Sequence, residues 1–479
     1  MPDSPPQDIL LRTGGGMSPP DAAAGHAERT ESLCPVCLGR LPARRVARDG
    51  QVFLEKRCPQ HGTFCTPIWR GQPAFGAWFR PKTPSYPPFP ATARGAGCPF
   101  DCGLCPGHGQ HTCTLLVLVT TRCNLACPVC FASAGQSRAP DPSLASLETL
   151  FGELMASGGP CNLQLSGGEP TVRDDLPDIV RLARAAGFTF IQINTNGLRL
   201  ATEPDYAARL AEAGASSAFL QFDGTNDAIF TALRGRALLA GKLEAVTRLH
   251  RAGIGAVLVP TVKPGVNDHD LGAILRLAAS LSPAVRGVHF QPVSYFGRYP
   301  GPPAAADRIT LPEIMRLLDV QTGGAASPAH FNPPGCEHAL CSFSGKYLVQ
   351  PDGTLTPLSR SGPCGCTPGS APESAADGAE RAKSQVAANW ILPALPDKAV
   401  HAPGRTPDGL DLFLENARTR ILTVSAMAFM DVWTLDLDRL RGCCIHVATP
   451  DGRRVPFCAH YLTAMDGTKL YQDPGEGRL

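Results

Sequence analysis

Apolar strands alternate with amphipathic helices along residues 116–325, and this rhythm admits few folds. Leu115-Leu-Val-Leu-Val-Thr120 reads as a buried strand by its length and β-branching. Leu147, Leu150, Phe151, Leu154 and Met155 fall on one helical face, and Asn162–Ser166 reads as the next strand. A unit of helix, Ala-Gly and strand then recurs. Ala186-Gly187 precedes a strand at Phe188–Ile193, Ala213-Gly214 one at Ala218–Phe222, and Ala252-Gly253 one at Ala256–Thr261. Each glycine suits the left-handed position that ends a helix. A sixth strand, Gly287–Gln291, follows a helix near 269–280. Such alternation builds a parallel sheet with right-handed crossovers, as a partial barrel or an open sheet. Its ligand site lies at the carboxyl ends of the strands.

The chain holds 19 cysteines. Its N-terminus lacks the basic-then-apolar pattern of a secretory signal, and no run of about 18 apolar residues marks a transmembrane helix. A cytoplasmic location is therefore expected, where thiols stay reduced and clustered cysteines read as metal ligands. A formal net charge of +2 argues for no nucleic-acid partner. The sequence divides into a disordered N-terminus at 1–29, a metal-binding knuckle at 30–85 and a second cysteine segment at 86–115. The barrel follows at 116–325, then a cysteine-rich C-terminal domain at 326–479 with a flexible insert near 367–410.

Cys123, Cys127 and Cys130 sit directly after the first strand in C-x3-C-x2-C spacing. Three thiolates on one short loop can wrap three corners of a cubane iron–sulfur cluster and leave the fourth iron open. Zinc is the competing occupant, but structural zinc sites pair C-x2-C units into four ligands.

With Phe131, this loop resembles the cluster loop of the radical S-adenosylmethionine (SAM) superfamily. Ser166-Gly-Gly-Glu-Pro170 follows the second strand, where that superfamily carries its GGEP motif. The resemblance implies an α/β fold with a partial (β/α)6 TIM-like barrel and cysteine-rich metal-binding extensions at both ends. It implies a 4Fe-4S cluster on Cys123, Cys127 and Cys130 whose open iron is chelated by SAM. The turn of Gly167, Gly168, Glu169 and Pro170 would receive the methionine amino group. An external donor such as ferredoxin or flavodoxin would supply the electron that cleaves SAM. The resulting 5′-deoxyadenosyl radical would then attack an unactivated C–H bond of a small-molecule or lipid substrate.

Further segments narrow the resemblance over about residues 30–470. These include Gly97-Cys98-Pro-Phe-Asp-Cys102, Val259-Pro-Thr261, Gly297-Arg298, Ala428-Phe429-Met-Asp431-Val-Trp433 and Pro456-Phe-Cys458. They are similar to the branch holding the class D radical methylases of pterin biosynthesis and the archaeal tetraether lipid synthases. That branch carries one or two auxiliary clusters and a rubredoxin-like metal site. Methylation and C–C coupling, on a pterin, a lipid chain or a peptide, all stay open at this point.

Other strand ends are polar. Asn194 and Asn196, Gln221 and Asp223, and Gln291 are candidates for ribose, carboxylate and adenine contacts, although Asp223 could equally cap a turn. Cys34, Cys37, Cys58 and His61 form C-x2-C…C-x2-H, a tetrahedral site for one iron or zinc ion. Cys98, Cys102 and Cys105 repeat the C-x3-C-x2-C spacing, with Cys113 available as the fourth thiolate of an electron-carrying cluster. Near the C-terminus, Cys336, Cys341, one of Cys443 and Cys444, and Cys458 are the expected ligands of another. Cys364 and Cys366 lie in a Gly/Pro loop outside this pattern, and Cys65 and Cys161 read as isolated buried residues. Trp69, Phe75, Trp78 and Phe79 form an aromatic group expected to pack against the knuckle, with a greasy wall for a lipid as the alternative.

Two non-catalytic readings compete. A multi-cluster electron carrier or scaffold would need neither the Gly-Gly-Glu-Pro turn nor a barrel. A zinc-dependent binding protein would use only the N-terminal knuckle.

Overall fold

A computed structural model of the chain describes residues 28–80, 82–87, 92, 95–136, 139–360, 372–393, 416 and 418–471. The expected disordered terminus, much of the expected insert, and Cys364 and Cys366 lie outside them.

Strands β1 (Glu28–Leu33), β2 (Arg40–Arg48), β3 (Gln51–Cys58) and β4 (Gly62–Arg70) form an antiparallel ribbon. Its buried face is pinned to the C-terminal part of the chain. Arg45 donates twice to the Asp436 carboxylate, at 2.7 and 3.1 Å, and the Thr30 hydroxyl adds a third bond. Trp69 and Trp78 are buried and pack with Phe75, as expected, whereas Phe79 is 69% exposed and takes no part. Cys65 is exposed, contrary to expectation. The β3–β4 register sets it opposite Glu55, on the solvent side of the ribbon. A two-residue strand, β5 (Lys82–Thr83), leads out of this region.

The central sheet begins with β6 (Thr114–Thr120), β7 (Asn162–Gly167), β8 (Ile191–Thr195), β9 (Ser217–Gln221), β10 (Gly255–Val259) and β12 (Val285–Pro292). A short β11 (Thr261–Val262) runs beside β12. The crossovers carry α1 (Leu144–Gly158), α2 (Leu176–Ala185), α3 (Leu198–Thr202), α4 (Tyr206–Ala213), α5 (Asp227–Arg234), α6 (Leu239–Arg251) and α7 (Leu271–Ser280). Helix α8 (Leu311–Gln321) follows β12. All six strands fall where the sequence placed them, but β8 starts three residues late. The Phe188 N–H is spent on the Ala183 carbonyl at 3.1 Å, closing the end of α2 around Gly187 with its φ of +107°.

The C-terminal part does not stand apart as a separate domain. It contributes β13 (Ser342–Val349), β14 (Leu355–Pro357), β15 (Glu373–Ser374), β16 (Ile421–Met427), β17 (Ile445–Ala448) and β18 (Arg454–Pro456). Strand β16 pairs in parallel with β12, and β17 pairs in parallel with β6. Parallel strands thus run β17-β6-β7-β8-β9-β10-β12-β16, with β13 and β14 antiparallel beyond one end and β18 beyond the other. Six strands alone would leave β6 and β12 as edges with unpaired backbone groups. The C-terminal strands cover both.

The expected insert is also more regular than its composition suggests. Ala375–Trp390 form α9, which packs against β10, β12 and β16. Glycine makes this possible. A Cβ on Gly255 would come within 2.4 Å of the Trp390 carbonyl oxygen, whereas one on Gly287 would collide with the neighbouring strand, 2.8 Å from the Thr423 carbonyl oxygen. No helix among the described residues is long and apolar enough to cross a membrane.

Candidate active site

A cavity of about 410 Å³ lies at the carboxyl ends of the parallel strands. Cys123, Cys127 and Cys130 line it, together with Gly167, Gly168, Glu169, Asn194, Asn196, Gln221 and Gln291. Residues scattered over four strand ends and one loop are therefore brought to a single space, as the parallel fold requires.

The cysteine loop is fastened to the Gly-Gly-Glu-Pro turn backbone to backbone. Gly168 N–H donates to the Thr120 carbonyl at 2.8 Å, and Glu169 N–H donates to the Arg122 carbonyl at 2.9 Å. Only glycine permits this approach. A Cβ on Gly167 would meet the Thr120 oxygen at 2.1 Å, and one on Gly168 the Arg122 oxygen at 2.2 Å. The buried Glu169 carboxylate accepts from Thr171 N–H at 3.1 Å, the Thr171 and Thr195 hydroxyls at 2.6 and 2.7 Å, and Asn196 N–H at 2.6 Å. Asn196 Nδ2 donates onward to Asn124 Oδ1 in the cysteine loop, at 2.7 Å. Arg298 holds the other side of that loop, donating from Nε to the Cys127 carbonyl at 3.0 Å and from Nη1 to the Ala134 carbonyl at 3.1 Å. Burial beside Glu169 pushes the Cys123 thiol up to about 11, a cost that a bound cation reverses by ionising its ligand.

Two expected contacts do not reach the cavity. Asp223 is fully buried beneath it, taking both bonds of Arg234 at 2.6 and 2.7 Å and the Thr261 N–H at 3.1 Å. Gln221 Nε2 donates to it as well, and with four donors its lone pairs are all in use. Pro170 is buried too, and its ring starts the short helical turn Pro170–Val172. Sequence reasoning missed Arg234, which lines the cavity, donates to Thr261 Oγ1 at 3.0 Å and hydrogen-bonds Cys127. It also missed Lys242, whose buried ammonium donates to Gln221 Oε1 at 2.8 Å and to the Asn196 carbonyl. Burial lowers Lys242 to about 7. Neither residue sits in a motif; each is one polar position on an otherwise ordinary amphipathic helix.

Among the described residues, two thiol groups have their ligand atoms within 4.8 Å of one another: Cys34, Cys37, Cys58 and His61, and Cys113, Cys336 and Cys444. The first is the expected knuckle, with His61 Nδ1 at 3.5 Å from Cys34 Sγ and 3.3 Å from Cys58 Sγ. The second corrects two expectations. Cys113 leaves Cys98, Cys102 and Cys105 because the β6–β17 register pairs Thr114 with Ile445 and so brings Cys113 to Cys444. Cys336 joins that pair and not Cys341. The trio lines the same cavity as Cys123, Cys127 and Cys130.

Cys341 Sγ lies 3.4 Å from Arg439 Nη2, and Cys458 Sγ accepts from Met430 N–H at 3.2 Å. Of the adjacent pair, Cys444 joins Cys113 and Cys336 and Cys443 does not. Cys98 hydrogen-bonds Cys102, and with Cys105, His108 and Arg441 they line a small separate cavity. Cys161 is buried, as expected.

The Radical SAM superfamily model matches residues 117–278, and the model for the HMPTM N-terminal zinc ribbon domain matches residues 26–70. The chain is 34% identical to the 7,8-dihydro-6-hydroxymethylpterin dimethyltransferase of Methanocaldococcus jannaschii, over 90% of this chain and 93% of that protein. The chain belongs to the radical SAM superfamily. It is also 32% identical to the probable GTP 3′,8-cyclase of Methanothermobacter thermautotrophicus, over 52% of this chain and 85% of the relative. Among solved structures, Streptococcus suis SuiB bound to S-adenosylmethionine is similar at a TM-score of 0.36 and 13% identity, over 44% of this chain and 47% of that one.

As a radical SAM enzyme, the chain uses a 4Fe-4S cluster and SAM. The residues present fit both. Three thiols of one loop face a cavity that continues past them, and glycines keep the neighbouring turn free of side chains. The ribbon and the Cys113 trio fit additional metal.

Proposed function

We propose that this radical SAM enzyme methylates a pterin at an unactivated carbon. The observation that carries the reading is the extent of its likeness to the archaeal pterin dimethyltransferase, which runs through the barrel and both cysteine-rich ends. When bound, the cluster and SAM together supply a 5′-deoxyadenosyl radical to the substrate. Cys123, Cys127 and Cys130 are the ligands of that cluster. Gly167 and Gly168 offer backbone to the methionine end of SAM, and Asn196, Gln221 and Gln291 supply polar contacts to the rest of it. Arg234, fixed by its bidentate bonds to Asp223, places a permanent positive charge at Cys127, where an anionic cluster or a carboxylate is favoured. Closure of the barrel by α9 excludes water from the radical's path.

The four thiol groups beyond the Cys123 loop have separate roles. Cys34, Cys37, Cys58 and His61 hold one zinc or iron ion that folds the ribbon. Three further groups are Cys98, Cys102 and Cys105; Cys341, Cys443 and Cys458; and Cys113, Cys336 and Cys444, of which the last lines the cavity. They relay electrons inward from a cytoplasmic donor of the ferredoxin or flavodoxin type.

The radical leaves with the substrate hydrogen as 5′-deoxyadenosine, so the methyl carbon comes from a separate one-carbon donor. The test is anaerobic incubation of the reconstituted enzyme with reductant, SAM, 7,8-dihydro-6-hydroxymethylpterin and, in parallel arms, further SAM or a methylene-carrying reduced pterin as that donor, followed by mass spectrometry. Product heavier by one CH2 unit per methyl group supports the reading. A cross-linked dimer of the substrate supports C–C coupling, and 5′-deoxyadenosine without any pterin product refutes the substrate.

A further inference from the structure

Helix α9 presents one face to the cavity. Ala382, Gln385, Val386, Asn389 and Trp390 line it at i, i+3, i+4, i+7 and i+8 spacing. At the end of that face, three rings meet. The Trp390 and Phe219 centroids are 5.4 Å apart, Phe219 and His289 5.3 Å, and His289 and Trp390 6.3 Å. His289 is oriented by Ser425, whose Oγ is 2.9 Å from its Nδ1. Burial lowers His289 to about 4, so the imidazole is neutral at physiological pH.

Two oxygens on the same wall lack a hydrogen-bond partner among the described residues: Asn194 Oδ1 and Thr423 Oγ1. Asn194 adjoins Phe219 in the β8–β9 register, and Thr423 adjoins Gly287 in the β12–β16 register. A buried oxygen left without a partner keeps its desolvation cost unrecovered. Sites of this kind select ligands that satisfy such atoms and reject those that cannot.

We infer that the substrate's flat heteroaromatic ring docks against Trp390, Phe219 and His289, with ring N–H or amino groups donating to Asn194 Oδ1 and Thr423 Oγ1. The inference rests on the pterin reading above and assigns it a subsite. An alkyl chain would pack on the rings but leave both oxygens unpaired, so this wall favours a nitrogen heterocycle over a lipid. The rings and the neutral imidazole form an uncharged face that suits an aromatic bicycle, and Lys346, which the β13–β16 register sets opposite Thr423, adds a cation to the same cavity wall. Gly255 belongs to the same device, since a side chain there would collide with the Trp390 backbone.

Binding is measured by fluorescence quenching of 6-hydroxymethylpterin on titration with the full chain, loaded with its clusters and SAM. Trp390→Ala is expected to weaken binding by about 10-fold or more, and Trp390→Phe by about 3-fold or less, because a ring is retained. Thr423→Val separates ligand contact from folding. It removes an orphaned hydroxyl, so thermal stability holds or rises while pterin affinity falls by about 10-fold. Wild-type affinity in both Trp390→Ala and Thr423→Val overturns this subsite and leaves the pterin reading standing. A wild-type chain that binds no pterin overturns both.

Discussion

The backbone N–H of Cys113 donates to the Cys444 carbonyl across 2.8 Å, and β6 and β17 run on in parallel from that junction. A thiol from the start of the barrel and one from near the end of the chain thereby share a cavity wall with Cys336. Cys113→Ser, Cys444→Ser and the double variant are each expected to lose the same complement of iron and acid-labile sulfide. Cys113→Ser combined with Cys102→Ser is expected to lose more than either alone. Additive losses for Cys113 and Cys444 would show them serving different sites.

Cys127→Ala removes one corner of the proposed SAM-binding cluster from a half-exposed loop. The barrel strands do not depend on that thiol. Formation of 5′-deoxyadenosine from SAM and dithionite is expected to stop, while the far-ultraviolet circular dichroism stays that of the parent. Continued cleavage would rule out the ligand assignment.

Glu169→Gln presents an amide to a pocket built from donors. The Thr171 N–H, two hydroxyls and the Asn196 N–H all aim at the carboxylate, and an NH2 group there meets at least one of them head-on. The expected cost is about 1–3 kcal/mol of stability, read from urea unfolding. SAM affinity should fall with it, because the same carboxylate fixes Asn196. Unchanged urea unfolding would mean the donors are satisfied elsewhere.

Lys242 gives the fold a pH dependence. Its ordinary value of 10.5 in the unfolded chain falls to about 7 in the folded one, through burial. Between those values the unfolded chain binds the extra proton, so stability rises with pH across that window. Lys56, lowered to about 7 by burial under the ribbon, acts in the same direction. Lys242→Met is expected to flatten the rise of unfolding free energy between about pH 7 and pH 9, measured by urea titration. A slope equal to the parent's would show that Lys242 keeps its proton.

The barrel and its cysteine loop were legible because both are local patterns. Strand period, helix face, the Ala-Gly stops and the C-x3-C-x2-C spacing each occupy a few consecutive residues. The ribbon's four ligands were legible for the same reason. What failed was pairing at a distance. The partners of Cys113 follow from the register of β6 on β17, which no spacing encodes, and this register undid two proposed ligand sets together. Asp223 was misplaced because a strand-end carboxylate reads alike whether it faces the cavity or a buried arginine. Helix α9 was hidden by composition: it is Ala-rich and lies in a Gly/Ala/Pro/Ser-rich stretch that resembles a linker, and only the missing side chain of Gly255 reveals what it enters.

Strand β17 covers one edge of the barrel and supplies Cys444, yet it is synthesised long after β6. Until it emerges, the β6 edge is bare and the Cys113 thiol has only part of its company. Filling of that site therefore waits for β17, whereas the ribbon holds all four of its ligands from the first part of the chain to be made. The two metal sites are completed in the order of translation, the ribbon before the cysteines that join the two ends of the sheet.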